Sequence, residues 1–311
     1  MCTQNIPAFV QSPMVSTPAL FLNPRGRVLF DTLITKIPKF ELQEPAFYID
    51  VHKKQATDFL SHLDKYKLKK DIQLHDLSDF MEIYSLFSEA SCPEGEAGSS
   101  QQFQEADVPD TPEGLEKAQG YVSFIDPRNA VMGTRTICVG EALELENQED
   151  IQVGTQQHYD IFRCLQGVPE GPCTFNHIPH FLNFHYLGFL APSKGCFIGQ
   201  ELVARASANL QTEGKRVLLP CCVLYPELLD TTGKLNSLSV AGFAEGKGRE
   251  ITGEKVLDAE GKEAGKVIYS LKGVGLAALT TNDIKAGKYR LESGEEVAFW
   301  KPMWLEHELK K

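Results

Sequence analysis

No stretch of this sequence approaches the roughly 18 consecutive apolar residues that a membrane-spanning helix requires. No two cysteines are spaced C-x-x-C, so a self-contained zinc knuckle or a four-cysteine iron–sulfur site has no support. His158-Tyr159-Asp160 has no accompanying G-x-S-x-G, which removes the usual context of a hydrolase triad. Phosphate-cradling loops are missing too. Residues 261–267 lack both the spacing and the Ser/Thr of a P-loop, and Gly246-Lys247-Gly248 has no third glycine. The start, Met1-Cys2-Thr3-Gln4-Asn5, leads into a Pro-rich stretch without an Arg-rich amphipathic helix, so no targeting peptide is visible.

Positive charge is missing from one long segment. Residues 71–116 contain no Lys or Arg but twelve Asp and Glu. The whole chain has 31 Lys+Arg against 42 Asp+Glu and a net charge of −11, so this segment carries the entire imbalance. Its middle, rich in Ser, Glu, Gly, Pro and Gln, predicts a mobile surface insertion over about residues 88–116; an acidic docking site is the functional alternative. The charge balance argues against a general nucleic-acid coat.

At 311 residues and 42% hydrophobic content, the chain suits about two domains and can bury sizeable cores. Eight cysteines in so long a chain, with no signal peptide in view, point to reduced thiols rather than a disulfide framework. Cys221 and Cys222 sit in an apolar run and read as small core residues.

Apolar, β-prone runs at 19–22 and 27–34 flank Asn23-Pro24-Arg25-Gly26, which predicts a hairpin. Strands are also expected at 45–51, 71–77, 81–87 and 121–125, with helices at 53–66 and 155–165. After Lys215 the texture becomes short β-prone runs between Gly-rich turns, at 216–224, 238–244, 255–257, 265–271, 274–279 and 296–300. That pattern predicts a small β-barrel and a domain boundary near residue 212, giving domains 1–212 and 213–311.

The segment most informative about chemistry is Ser193-Lys194-Gly195-Cys196-Phe197-Ile198-Gly199-Gln200-Glu201. Its glycines predict a tight loop that lets backbone approach something closely. Gln200 can start a helix, placing Cys196 near a helix amino terminus and two residues from Lys194; both features favour a thiolate. A buried thiol in a turn is the alternative. A rival metal reading uses Cys173, His177, His180 and His185, whose C-x3-H-x2-H-x4-H spacing is compatible with zinc, although Pro179 and the surrounding Phe residues spoil a regular ligand scaffold. Arg25, Arg27, Arg128 and Arg135 could together bind a carboxylate tail; ordinary structural pairing is the alternative for each.

Lys-Gly-Cys-Phe-Ile-Gly-Gln-Glu at 194–201 resembles the signature of the YgfZ-type branch of the folate-binding T-protein superfamily, and within it the mitochondrial iron–sulfur cluster assembly factors. Phe21-Leu22-Asn23 with Gly26-Arg27 and Asp31 is similar to that family's early hairpin, and Asp126-Pro127-Arg128 with Met132-Gly133 and Arg135 to its central segment. Residues 163–171, Gly265-Lys266-Val267 and Gly275-Leu276-Ala277 are similar in the same order. The resemblance implies an α+β fold: a T-protein-like α/β part around a central folate-type cavity, then a C-terminal β-barrel. It implies late maturation of [4Fe–4S] proteins in the mitochondrial matrix with an A-type carrier and client [4Fe–4S] enzymes as partners, and with neither nucleic acid nor membrane.

The resemblance also makes Cys196 the ligand of a [2Fe–2S] cluster shared with the carrier. It places Arg27, Asn183, Lys194, Gly195, Gly199, Gln200 and Glu201 in the cofactor-binding set. One thiolate cannot complete tetrahedral ligation at iron, so partner cysteines would supply the rest. The alternative it implies is a tetrahydrofolate-dependent aminomethyl-type transferase; a further one is a folate- or anion-binding module with Cys196 as redox sensor. The sequence departs from the family where Phe181-Leu182-Asn183 lacks the acid of a Glu-x-Asn pattern and where residues 206–210 lack His and Gly. Met1–Asn5 is similar to the middle of the family's opening motif, which implies that a first strand and transit peptide precede it.

Overall fold

The computed structural model describes residues 1–37, 46–88, 120–140, 151–209, 216–223, 240–280 and 289–310. Apart from Ser88, the insertion expected at 88–116 lies outside the described residues. Two compact units account for the chain. One comprises Met1–Leu22, Leu29–Val153 and Leu187–Ile198; the other comprises Asn23–Val28, Gly154–Tyr186 and Gly199–Lys311.

The first unit carries two three-stranded sheets. Strands β1 (Ser16–Leu22), β2 (Val28–Lys36) and β3 (Phe47–Val51) pair in that order. The predicted helix is α2 (Ala56–Lys67), whose Phe59 and Leu63 pack edge-on and alongside Phe21, Phe30 and Ile34. A short helix α1 (Ile6–Gln11) adds Phe9 to the same core. The second sheet has the order β4 (Met81–Leu86), β6 (Thr134–Val139), β5 (Gly120–Ile125). Its core face joins Val122, Phe124, Ile137 and Val139 to Val15 and Tyr48.

Two ion pairs sit inside this unit. Asp126 accepts from its own turn, taking the Arg128 backbone N–H (3.0 Å), Nε (2.9 Å) and Nη2 (2.7 Å), with both side chains almost wholly buried. Arg135 on β6 pairs with Asp50 on β3. Removing one member of such a pair leaves an uncompensated buried charge.

The predicted strand at 71–77 does not form. Leu74 packs on the α2 core and Leu77 on the second sheet's core, so this extended segment divides its apolar residues between two different cores and joins no ladder. Strand β6 is not legible in the sequence, because Thr134-Arg135-Thr136 has too little apolar content to read as buried.

The second unit contains a closed six-stranded barrel in the order β10-β7-β12-β11-β8-β9. The strands are β7 (Arg216–Val223), β8 (Lys255–Leu257), β9 (Glu263–Leu271), β10 (Val274–Thr280), β11 (Tyr289–Leu291) and β12 (Glu296–Phe299). Val217, Leu219, Cys221 and Val223 alternate into the barrel interior with Val256, Val267, Ala277, Leu279 and Val297. The other face of β7 is buried as well, which is why the strand reads as continuously apolar. Of the run expected to be a strand at 238–244, residues 238–239 lie outside the described residues and the rest is helix α5 (Val240–Glu245): Val240 and Phe243, three apart, are its buried positions.

Helix α3 (Gln156–Leu165) packs on β7, β9 and β10 and buries Ile161, Phe162, Cys164 and Leu165. The residues His158, Tyr159 and Asp160 all have structural partners. His158 Nδ1 accepts from the Thr155 backbone N–H at 3.1 Å, Tyr159 donates to Glu170 at 2.7 Å, and Asp160 accepts from Arg163 Nε at 2.7 Å. The helix's last carbonyls are capped by indoles: Trp300 Nε1 donates to Leu165 O at 3.1 Å, and Trp304 Nε1 of α6 (Met303–Lys310) to Gln166 O at 2.8 Å. Trp304→Phe keeps an aromatic ring and strands that carbonyl. We expect a loss of about 1–2 kcal/mol in urea unfolding, with the m-value unchanged.

Candidate functional site

The signature segment ends at a contact built from two glycines. Asn23 starts the β1–β2 turn and closes it with its own side chain: Oδ1 accepts from Arg25 N (2.9 Å) and Arg27 N (3.1 Å), while Gly26 N donates to Asn23 O (2.8 Å). Gly26 adopts φ +70°, and a Cβ there would lie 2.6 Å from Leu202 Cβ and 2.7 Å from Gly199 O. Gly199 adopts φ +81°, and its Cβ would lie 2.6 Å from both Asn23 O and Gly26 Cα. Neither position can take a side chain, on conformation or on space. The hairpin tip and the start of helix α4 (Gln200–Asn209) are therefore locked backbone to backbone.

Cys196 lies three residues before Gly199 in an irregular stretch, and it is exposed. Gly195 beside it is exposed, has no left-handed φ, and would meet nothing within 4 Å if it carried a Cβ. The two signature glycines thus differ: Gly199 is required by the fold, and Gly195 is not. Lys194 is half-buried, with its N–H donating to Ala191 O at 3.3 Å. Gln200 and Glu201 open α4 on its exposed side, where Glu201 pairs with Arg205 one turn on.

Helix α4 is tied to the rest of its unit through Ser207. The Ser207 hydroxyl donates to Val203 O at 3.0 Å, so the 2.9 Å contact with His180 Nε2 must have the imidazole as donor. His180 is almost completely buried, and burial pushes its pKa down to about 4. It lies in a 3-10 turn, Pro179–Leu182, closed by Asn183 at φ +60°. The Asn183 amide then bonds both ways to one barrel residue, donating to Leu218 O (2.8 Å) and accepting from Leu218 N (3.3 Å). Arg27 Nη1 donates to Asn176 O at 2.8 Å. Asn183 and Arg27 are therefore engaged within their own unit through backbone groups.

The zinc spacing at Cys173, His177, His180 and His185 assembles no metal site: among the described residues no three His, Cys, Asp or Glu side chains converge. Cys173 instead donates to Glu170 O at 3.3 Å, and His180 and His185 stack with centroids 4.9 Å apart. Four of the buried thiols are held protonated. Burial pushes Cys164 and Cys222 up to about 12 and Cys138 to about 11, and raises Cys221 as well, with the neighbouring Cys222 and Cys164 adding to the effect. Among the described cysteines, which are seven, Cys196 is the exposed one.

These elements define a class first: an α+β scaffold of the aminomethyltransferase type with a closed C-terminal barrel, as expected from sequence. The glycine cleavage system aminomethyltransferase T from Bartonella henselae matches it over 93% of this chain and 75% of its own, with a TM-score of 0.57 at 12% identity, a likeness of fold. The CAF17 C-terminal beta-barrel domain matches residues 244–307. In sequence the chain is similar to the mitochondrial iron–sulfur cluster assembly factor IBA57 of Mus musculus, 28% identical over 89% of this chain and 68% of that protein. It is also similar to the IBA57 homologue of Aspergillus fumigatus, 28% identical over 83% of this chain and 58% of that one. The chain thus spans about three fifths to two thirds of the length of these relatives.

Gly199→Ala should cost about 2–4 kcal/mol in thermal or urea unfolding, whereas Gly195→Ala should leave stability within about 0.5 kcal/mol of the parent. His180 supplies a pH dependence. Its folded pKa lies below its unfolded value, so its contribution is complete above about pH 6.5 and is lost as pH falls toward 4. Stability in urea unfolding should fall across that window, by up to about 1.4 kcal/mol per pH unit for this one group, and less steeply in His180→Gln.

Proposed function

We propose that this protein serves iron–sulfur cluster assembly in the mitochondrial matrix, acting late in [4Fe–4S] protein maturation, with Cys196 as its ligand to a [2Fe–2S] cluster shared with an A-type carrier. The observation that carries the reading is that Cys196 is the exposed thiol among the described cysteines, in a chain similar over most of its length to IBA57 assembly factors. The donor set fits a shared cargo. Cys196 offers one thiolate, and no converging set of three ligands exists among the described residues. Iron in a cluster needs tetrahedral ligation, so the remaining ligands come from the partner. The open space at Gly195 leaves room beside the thiol for that partner's approach.

The transferase alternative draws on the aminomethyltransferase-type fold, and fold alone does not carry activity. Two of the arginines considered for a folate tail, Arg128 and Arg135, have their charges met by Asp126 and Asp50. Tetrahydrofolate therefore gains no support from them.

The test is anaerobic reconstitution with iron and sulfide, alone and with an A-type carrier, followed by visible absorption and circular dichroism. We expect a [2Fe–2S] spectrum that requires both proteins and is abolished by Cys196→Ser, with the variant's melting temperature unchanged. A spectrum that survives in Cys196→Ser would overturn the assignment. Absence of a cluster in every combination, together with stoichiometric tetrahydrofolate binding, would favour the transferase.

A further inference from the structure

The nine arginines of the chain are all described, and their partners fall into a pattern. Arg128, Arg135, Arg163, Arg205, Arg249 and Arg290 each pair with a carboxylate. Arg216 lies over the Phe181 ring, 4.8 Å from its centroid. Arg25 and Arg27 alone have neither a carboxylate nor a ring among the described residues, and both lie on the β1–β2 turn. The Asn23 side chain holds the backbone N–H of each, so the two charges stand on a preorganised turn.

The surroundings of that turn extend the pattern. Val28 N donates to His177 O at 3.0 Å and Asn176 N to Val28 O at 2.8 Å, which lays residues 175–177 along the start of β2. Phe175 on this segment is 55% exposed. Burial first, and then the charges of Arg27 and of Lys266 on β9, lower the His177 pKa. Lys266 is exposed and has no carboxylate partner among the described residues. In a chain with net charge −11, this turn gathers cations without counter-charges among the described residues beside an exposed aromatic ring.

We propose that Arg25, Arg27, Lys266 and Phe175 form a docking surface for the acidic face of a protein partner, its carboxylates meeting the cations and an apolar side chain covering the ring. A protein face fits better than a polyphosphate, because the chain's overall negative charge opposes a long uniform anion while a few local cations can still pair with selected carboxylates. It fits better than a lipid surface, because a single ring is a small apolar anchor. The proposal rests on the assembly reading for the identity of the partner, which would be the A-type carrier. Gly199, at the end of the signature, packs against this same turn.

The experiment is calorimetric titration of the intact protein with the recombinant A-type carrier at low and high salt. In Arg25→Glu/Lys266→Glu, Kd should rise at least tenfold at about 50 mM salt, and the difference should shrink to about twofold at 0.5 M as screening removes the charge effect. Phe175→Ala should weaken binding at both salts, and Lys262→Glu, an exposed change on the β8–β9 turn, at neither. Unchanged melting temperatures would establish that each variant folds. Carrier binding indifferent to the charge reversal, or no carrier binding by the parent protein, overturns the proposal. So does charge-dependent binding of polyglutamyl tetrahydrofolate or of anionic phospholipid vesicles in place of the carrier. Cys196→Ser separates the two readings: it should lose the cluster and keep the carrier's Kd. A patch that fails while cluster assembly still needs Cys196 sinks the surface alone. Patch-dependent docking without any cluster sinks the assembly role alone.

Discussion

Gly26 and Gly199 meet where neither residue has room for a side chain, and the start of α4 is held against the β1–β2 turn at that contact. A tight turn between two strands brings one glycine, and the entry to α4 brings the other. Each takes a left-handed backbone that other residues adopt at a cost, and each sits within 3 Å of the other's backbone, counted from the position a Cβ would occupy. The contact is short and made backbone to backbone. The His180–Ser207 bond then holds the far end of α4, and Asn183 carries the connection on to the barrel strand β7.

A stiff frame with one exposed thiol is a particular chemical object. Burial raises the cost of ionising Cys138, Cys164, Cys221 and Cys222, so they behave as small core residues despite their number. Cys196 lies in an irregular, exposed stretch, and the open space at Gly195 belongs to the same exposure. On the proposed reading, one exposed soft ligand among the described residues suits a cargo shared with a partner. Charge is arranged on a similar principle. Most arginines are matched to carboxylates within the fold, and Arg25 and Arg27 stand on the one turn that the glycine contact makes rigid.

Much of the local structure was legible in the sequence. Asn23-Pro24-Arg25-Gly26 announced its turn through residue chemistry alone, and the barrel announced itself through short apolar runs between glycine-rich turns. The failures have physical reasons. Residues 71–77 alternate as a strand does, but their apolar residues are claimed by two separate cores. Residues 240–245 look β-prone, but only positions three apart meet the interior. Strand β6 carries Arg135 and two threonines, and its burial is made possible by an aspartate from β3 that no local pattern could reveal.

The sequence by itself determined which residues could do chemistry: one cysteine in a glycine-flanked loop, no C-x-x-C to complete a site, and a family likeness centred on 194–201. These are matters of residue type and short spacing, which covalent order conveys directly. Tertiary structure decided which of those residues are available. Whether a thiol is covered, an arginine is neutralised, or a histidine spacing converges depends on groups far apart in the chain. It therefore separated Cys196 from the buried thiols, gave Asn183 and Arg27 backbone partners in the frame, and left Arg25 and Arg27 as the arginines without a counter-charge among the described residues.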